Sequence, residues 1–196
     1  MSKIIGVTGG IASGKSSLTA FLRSQGYQVV DADAVVHALQ APGGRLYQAL
    51  LEHFGQDILL ENGQLDRAKL GQKIFSDTQE RAWSSSVQGQ IIRKELANER
   101  DRLSQQEALF FMDIPLLFES HYEDWFDEIW LVYVDEGQQL ERLMARNHLS
   151  KEEAQKRLAA QWKLADKRDL ADKILDNSGS LEAMLAQAAQ ALSTLK

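Results

Sequence analysis

The chain has 196 residues, 44% of them hydrophobic, which is enough for one domain with small insertions and a sizeable core, and no linker-joined second module is expected. A formal net charge of −6 and the lack of any basic stripe argue against a nucleic-acid face and favour a small-molecule partner. The absence of cysteine excludes disulfides and thiolate metal sites, no apolar run approaches the roughly 18 residues of a membrane span, and no leader pattern follows Lys3; a cytoplasmic protein with no membrane partner is expected.

Lys3 to Thr8 reads as a central strand, apolar on both faces as parallel strands tend to be. Directly after it, the run Thr8-Gly9-Gly10-Ile11-Ala12-Ser13-Gly14-Lys15-Ser16-Ser17 contains the pattern G-x-x-x-x-G-K-S from Gly9 to Ser16, a phosphate-binding loop between a strand and a helix. Glycines at both ends let the backbone curl until several N–H groups point at one phosphate, and the helix N-terminus adds its partial positive charge. Lys15 then reaches the β- and γ-phosphates of a nucleotide, and the Ser16 hydroxyl is a ligand of the Mg²⁺ that travels with it. A glycine-rich turn that binds nothing is disfavoured by the strand before the loop and the helical pattern after it. Lys15 to Ser24 carries Leu18, Phe21 and Leu22 at helical spacing, with Gly26 where a helix C-cap falls.

Tyr27 to Val30 reads as a second strand, ending in Asp31-Ala32-Asp33. Acidic residues at a strand's carboxyl end lie at the rim where open α/β sheets bind ligands. Asp33 equally suits the N-cap of a helix over Ala34 to Gln40, and both readings stand at this point. Pro42-Gly43-Gly44 then breaks the chain, and the pattern to about Gln105 is helical with no strand of its own. It contains an amphipathic helix over Arg45 to Phe54 closed by Gly55, a helix over Arg67 to Phe75 capped by Asp66, and a long segment through Leu103 capped by Ser76 or Asp77. This stretch is too long for a simple crossover and predicts a helical lobe over the site.

Ala108 to Asp113 reads as the third strand, followed by Ile114-Pro115-Leu116-Leu117-Phe118-Glu119. Asp113 is placed like the acid that orients Mg²⁺-bound water in phosphate-loop enzymes, and a turn or capping role suits it nearly as well. Glu128 to Val134 is a fourth strand, after which Asp135 leads into a helix over Glu136 to Asn147. That helix carries Arg142 and Arg146 on one face. Like charges at this spacing cost a few tenths of a kcal/mol, so an anion between them explains the arrangement, and two solvated arginines are the alternative. Ser150 to Glu153 is a capping box opening a helix expected to run past Arg157 and Gln161 toward Lys163, Lys167 and Arg168, a basic hairpin suited to closing over a nucleotide. Lys173 to Asn177 reads as a short fifth strand turned by Gly179, with Ser180 capping the last helix.

Val7 to Ser16, Asp31-Ala32-Asp33, His53-Phe54-Gly55, Pro115 to Glu119, the helix with Gln139, Arg142 and Arg146, then Gln161, Ala171-Asp172 and Asn177-Ser178-Gly179 together resemble the dephospho-coenzyme A kinase family nearly end to end. The phosphate loop alone is shared with many proteins; its combination with Asp-Ala-Asp and Pro-Leu-Leu-Phe-Glu is much more specific. The resemblance implies an α/β fold of the P-loop NTPase, nucleoside-monophosphate-kinase-like type. Its five-stranded parallel sheet flanked by helices would occupy residues 1–35, 106–138 and 169–196, with a helical substrate-binding insertion over 36–105 and a short helical lid over 139–168. It further implies transfer of the ATP γ-phosphoryl group to the ribose 3′-hydroxyl of dephospho-coenzyme A. On that reading Gly9, Gly10, Ile11, Ala12, Ser13, Gly14, Lys15, Ser16 and Ser17 hold the nucleotide together with Arg142 and Asn177. Ser16 and Asp113 serve the metal, Lys15, Arg142 and Arg146 neutralise charge, and Asp33 accepts or orients the hydroxyl proton.

The chain departs from the family pattern at Ala12, where glycine is usual, at Ser17, where threonine is common, and at Gly89-Gln90, where a His-Pro pair is usual, so no acceptor contact is assigned at the last position. One rival is another small-molecule kinase of the same fold, such as a nucleoside monophosphate or sugar-acid kinase, distinguished by its acceptor. A nucleotide-dependent switch is disfavoured, because Asn-Lys-x-Asp, the base-reading tetrapeptide of guanine switches, does not occur. No feature of the sequence selects an oligomeric state.

Overall fold

Strand β1 (Lys3–Gly9) is buried from Ile5 onward because it has parallel neighbours on both sides and helices over both faces, which is why it carries apolar residues and glycine almost throughout. The computed structural model, which describes residues 2–195, places β1 in the middle of a five-stranded parallel sheet of order β2-β3-β1-β4-β5. The other strands are β2 (Val29–Asp31), β3 (Leu109–Asp113), β4 (Glu128–Tyr133) and β5 (Lys173–Asp176). In register, Val7 lies between Asp113 on β3 and Trp130 on β4. The connection leaving β1 leads toward one edge of the sheet and that leaving β4 toward the other, so the carboxyl ends in mid-sheet border the crevice in which open α/β sheets bind ligands.

The chain divides into two compact units, one built from the chain up to Val30 and from Leu103 onward, the other spanning Asp31–Arg102. In the first, α1 (Lys15–Ser24) and the last helix, α9 (Leu181–Ser193), cover the sheet. Ile5, Val7, Leu18, Leu22, Phe111, Trp130, Leu175 and Met184 form one buried cluster, in which the Phe111 and Trp130 rings meet edge to face at 5.4 Å. Each such side chain contributes about 1.5–3 kcal/mol by leaving water.

The second unit holds α2 (Ala32–Gln40), α3 (Arg45–Phe54), α4 (Arg67–Ser76) and nearly all of α5 (Thr78–Ser104), packed around Leu39, Leu46, Leu50, Ile58, Leu65 and Leu70. Here His53-Phe54-Gly55 acts as a structural clip. The His53 ring stacks on Trp83 at 3.6 Å and its Nε2 lies 2.5 Å from Glu80 Oε2, joining α3 to α5, while Gly55 takes φ +74° to end α3.

The first unit is completed by α6 (Glu136–Asn147), α7 (Lys151–Leu158) and α8 (Leu164–Arg168). The expected capping box is present: Ser150 accepts from the Glu153 amide, and the Glu153 carboxylate accepts from the Ser150 amide, which holds its pKa below the usual range. The helix does not run on through Gln161 as the pattern suggests. It stops at Leu158, and residues 159–163 form a linker because Gln161 and Trp162 bond to distant partners instead of continuing the turn.

A second correction concerns Asp33. Helix α2 begins at Ala32, and its N-cap is Asp31, whose side chain accepts from the Ala34 amide at 3.0 Å; Asp33 is an exposed residue of the first turn. The structural role weighed for Asp33 thus belongs to its neighbour. Asp31→Ala is expected to lower stability by about 1 kcal/mol through loss of the cap, and Asp33→Ala by about half of that or less, when both are measured by chemical denaturation.

Candidate active site

The phosphate loop leaves β1 at Gly9 and enters α1 at Lys15. Part of its shape comes from its own turn, in which the Ser13 amide donates to the Gly10 carbonyl at 3.1 Å. The rest comes from amide side chains of other elements. Asn177, buried just past β5, donates Nδ2 to the Ser13 carbonyl at 2.8 Å. Across a trans peptide the C=O of one residue and the N–H of the next point opposite ways, so this bond turns the Gly14 amide away from the Asn177 side chain. Gly14 takes φ +97°, and a Cβ there would collide with Asn177 Nδ2, so backbone and neighbour both require glycine. On the other limb, Gln139 on α6 donates Nε2 to the Ile11 carbonyl at 2.8 Å, and Gln161 Oε1 accepts from the Ile11 amide at 3.0 Å. Ala12, where the family usually has glycine, adopts φ +60°, a conformation that costs an alanine about 1 kcal/mol.

Among the described residues, no protein acceptor pairs with the amides of Ala12, Gly14, Lys15 or Ser16. The Ser13 hydroxyl is buried and also unpartnered. Unpaired donors at a helix N-terminus are an anion site in chemical terms, and a phosphate oxygen satisfies them.

Lys15, at the start of α1, forms a largely buried ion pair with Asp113 at the end of β3. Ser16 follows Lys15, with its side chain exposed. No group of three or more His, Cys, Asp or Glu side chains gathers for a metal among the described residues. One hydroxyl and one carboxylate suit Mg²⁺, which keeps several waters and binds through one or two carboxylates plus substrate phosphates instead of an all-protein cage.

The two sequence-matched arginines part company. Arg142 Nη2 donates to the Asn177 carbonyl at 2.9 Å, so Asn177 ties the loop and Arg142 together through one residue. Arg146, one turn further along α6, is exposed and bonds its neighbour Asn147 at 2.9 Å. Asp33 belongs to the helical unit and stands exposed on α2.

The expected basic hairpin is also corrected, because several of its cations are engaged elsewhere. Lys167 on α8 is fully buried, paired with Glu119 Oε1 at 2.7 Å and 3.5 Å from the Pro115 carbonyl, which also accepts from the Thr8 hydroxyl at 3.1 Å. The same Glu119 oxygen accepts from the Trp162 amide at 3.2 Å. Arg168 lies over the Tyr133 ring at 5.3 Å, and Lys163 pairs with Glu136 at 3.6 Å. Burial raises the Tyr133 phenol pKa, and the neighbouring Asp135 carboxylate raises it further. What the hairpin offers the loop is neutral: the side chain of Gln161, beside that of Gln139 at the start of α6. Both glutamines, and Glu119, stand in the segments that resemble the family, but nothing in their local pattern marks the glutamines as partners of the loop or Glu119 as the partner of Lys167 and Trp162.

The chain matches the sequence profile of the dephospho-CoA kinase family over residues 3–183. It is 64% identical over 187 residues to the dephospho-CoA kinase of Streptococcus pneumoniae serotype 4, covering 95% of this chain and 93% of that protein. It is 55% identical over 192 residues to the dephospho-CoA kinase of Streptococcus pyogenes serotype M3, covering 98% of each. Among solved structures, the dephospho-CoA kinase from Campylobacter jejuni is similar with a TM-score of 0.76 at 26% identity, over 100% of this chain and 98% of that one. A shikimate kinase from Bacteroides thetaiotaomicron reaches a TM-score of 0.52 at 13% identity over 98% of each chain, a likeness of fold alone. With a matching profile over nearly its whole length and relatives this similar, the chain belongs to the dephospho-CoA kinase family.

Proposed function

We infer that this chain transfers the γ-phosphoryl group of ATP to the ribose 3′-hydroxyl of dephospho-coenzyme A, giving coenzyme A in the last step of its biosynthesis. The observation that carries the reading is the loop, whose unpaired amides stand beside Lys15 in a chain of this family. Phosphoryl transfer asks a protein mainly for positioning and charge neutralisation. The loop amides and Lys15 are assigned to the β- and γ-phosphates. Arg142, braced by Asn177, is assigned with Arg146 to charge on the nucleotide side, and Asp33 to the acceptor hydroxyl, whose proton it takes or orients. Ser16 and Asp113 would hold Mg²⁺, which supplies neutralisation of the charge on the phosphoryl oxygens. The reaction is placed in the cytoplasm, in keeping with a chain that has no cysteine.

The direct test offers ATP, Mg²⁺ and a panel of acceptors to the purified protein and follows ADP release. The panel holds dephospho-coenzyme A, shikimate, gluconate and nucleoside monophosphates. Dephospho-coenzyme A is expected to exceed every other acceptor by about 10²-fold or more in kcat/KM. Equal turnover on another acceptor overturns the reading.

Two variants test the roles. Asp33→Asn is expected to lower kcat by about 10²–10⁴-fold, the usual cost of losing a general base, while stability moves by less than about 1 kcal/mol because Asp31 supplies the cap. Single-turnover phosphoryl transfer measured beside thermal stability checks this, and an Asp33→Asn enzyme within about threefold of wild type removes Asp33 as the base. Arg142→Ala is expected to weaken ATP or lower kcat more than Arg146→Ala does, because Arg142 is held by Asn177. A change confined to the KM of dephospho-coenzyme A would put Arg142 on the wrong substrate.

A further inference from the structure

Ile11 is a loop residue whose two backbone polar groups are both taken by side chains from far along the chain. Its carbonyl accepts from Gln139 Nε2 at 2.8 Å, and its amide donates to Gln161 Oε1 at 3.0 Å. The partners dictate how each glutamine is turned, since a backbone N–H is met only by Oε1 and a backbone carbonyl only by Nε2. With the Ile11 carbonyl turned toward Gln139, the Ala12 N–H across the same peptide faces away from that glutamine. Room for this arrangement is kept in the sequence: a Cβ on Gly10 would meet Gln139 Nε2 at 2.5 Å and Leu164 at 3.3 Å.

The linker that carries Gln161 is held by polar contacts more than by packing. A cavity of about 550 Å³ lies against it, lined in part by Leu140, Gln155, Leu158 and Leu164 as well as the two glutamines. Among the described residues, the side-chain bonds that fix the linker to the rest of the unit are those of the Gln161 side chain to Ile11 and of the Trp162 amide to Glu119, together with the exposed Lys163–Glu136 ion pair. A loop peptide and the lid linker therefore share one bond.

We propose that Gln139 and Gln161 are positioning residues for phosphoryl transfer: by holding both polar groups of Ile11, they aim the Ala12 N–H at the nucleotide phosphates and tie the lid linker to the phosphate loop. The proposal rests on the loop binding nucleotide phosphates, as above. Both side chains are neutral, so they shape the loop without adding charge that would bind or repel the phosphates themselves.

The test uses Gln139→Leu, Gln161→Leu, Gln139→Glu and Gln161→Glu in the full chain. For each, kcat, the KM of both substrates, the calorimetric Kd for Mg·ATP and the thermal midpoint without nucleotide are measured. Each Leu variant is expected to weaken ATP about tenfold, as the loss of one such hydrogen bond implies, with the KM of dephospho-coenzyme A within about twofold of wild type. The two Glu variants are expected to separate. Gln161→Glu keeps an acceptor for the Ile11 amide and retains most of the ATP affinity, whereas Gln139→Glu sets a carboxylate against a carbonyl oxygen and loses at least as much as the Leu variant. Both place the same charge beside the same residue, so its effect cancels between them.

A pair that merely stabilised the fold would lower the thermal midpoint without separating the substrates or the Glu variants, and that result overturns the proposal. So does an ATP Kd within about twofold of wild type in both Leu variants, a change smaller than one lost hydrogen bond. Should a Leu variant fail to fold, the comparison of the Glu variants decides alone. Absence of turnover with dephospho-coenzyme A in the wild type would count against the functional reading, while the ATP Kd values would still decide the role of the glutamines.

Discussion

A loop that binds phosphate through backbone amides has to leave those amides without protein partners, and this single requirement organises the structure around it. Unpaired donors cost free energy wherever water is scarce, and they cannot hold a loop in shape. The shape must then come from the opposite face of the same peptides. In this chain it comes from carbonyls: Asn177 holds that of Ser13 and Gln139 that of Ile11, and each bond turns the following N–H away from its clamp. These side chains arrive from the end of β5 and the start of α6, so the sheet order that sets β4 beside β1 and β5 beside β4 is what brings the clamps to the loop.

Charge is divided by the same logic. Lys167 would be an obvious candidate for the nucleotide on sequence grounds, yet it is fully buried against Glu119 and the Pro115 carbonyl. Breaking a buried pair by removing one partner costs about 3–5 kcal/mol, so this lysine is committed to joining α8 to the chain after β3. The Pro115 carbonyl also accepts from Thr8, immediately before the loop, and Glu119 from the Trp162 amide. The Pro-Leu-Leu-Phe-Glu segment is in this way a junction at which the end of β1, the exit of β3 and the linker between α7 and α8 meet. Lys15 stands in the loop itself, held by Asp113 at a strand end that β1 positions.

Features set by neighbours in sequence were legible before the structure. The strands follow from apolar runs, α3 and α6 end where Gly55 and the residues after Asn147 stop them, and the Ser150 capping box needs only four residues to be recognised. The misreadings share a cause. Nothing within Ser150 to Arg168 says that Gln161 will pair with Ile11, 150 positions away, and that bond together with the Trp162 contact is what interrupts the expected helix. Lys167 and Arg168 look alike in sequence; one is buried in an ion pair and the other lies over Tyr133. Gln139, Gln161 and Glu119 came to notice only through resemblance, because the physical reason for each is a partner from another part of the fold.

In Asp31-Ala32-Asp33 the structure separates the residue that caps the helix from the one to which chemistry is assigned in the proposed function. Either acid suits an N-cap by composition, and only the observed start of α2 at Ala32 assigns the cap to Asp31. That assignment leaves Asp33 inside the first turn, exposed, with its backbone held by a helix that its neighbour has capped. A carboxylate on a rigid turn is more narrowly positioned than one on a flexible loop, and it keeps its lone pairs because another residue satisfies the helix end. Exchanging the two positions would place the carboxylate proposed for the acceptor hydroxyl in a backbone hydrogen bond. On the role proposed for Asp33, both acids are therefore needed: Asp31 to start the helix, and Asp33 to stand on it unengaged by the backbone.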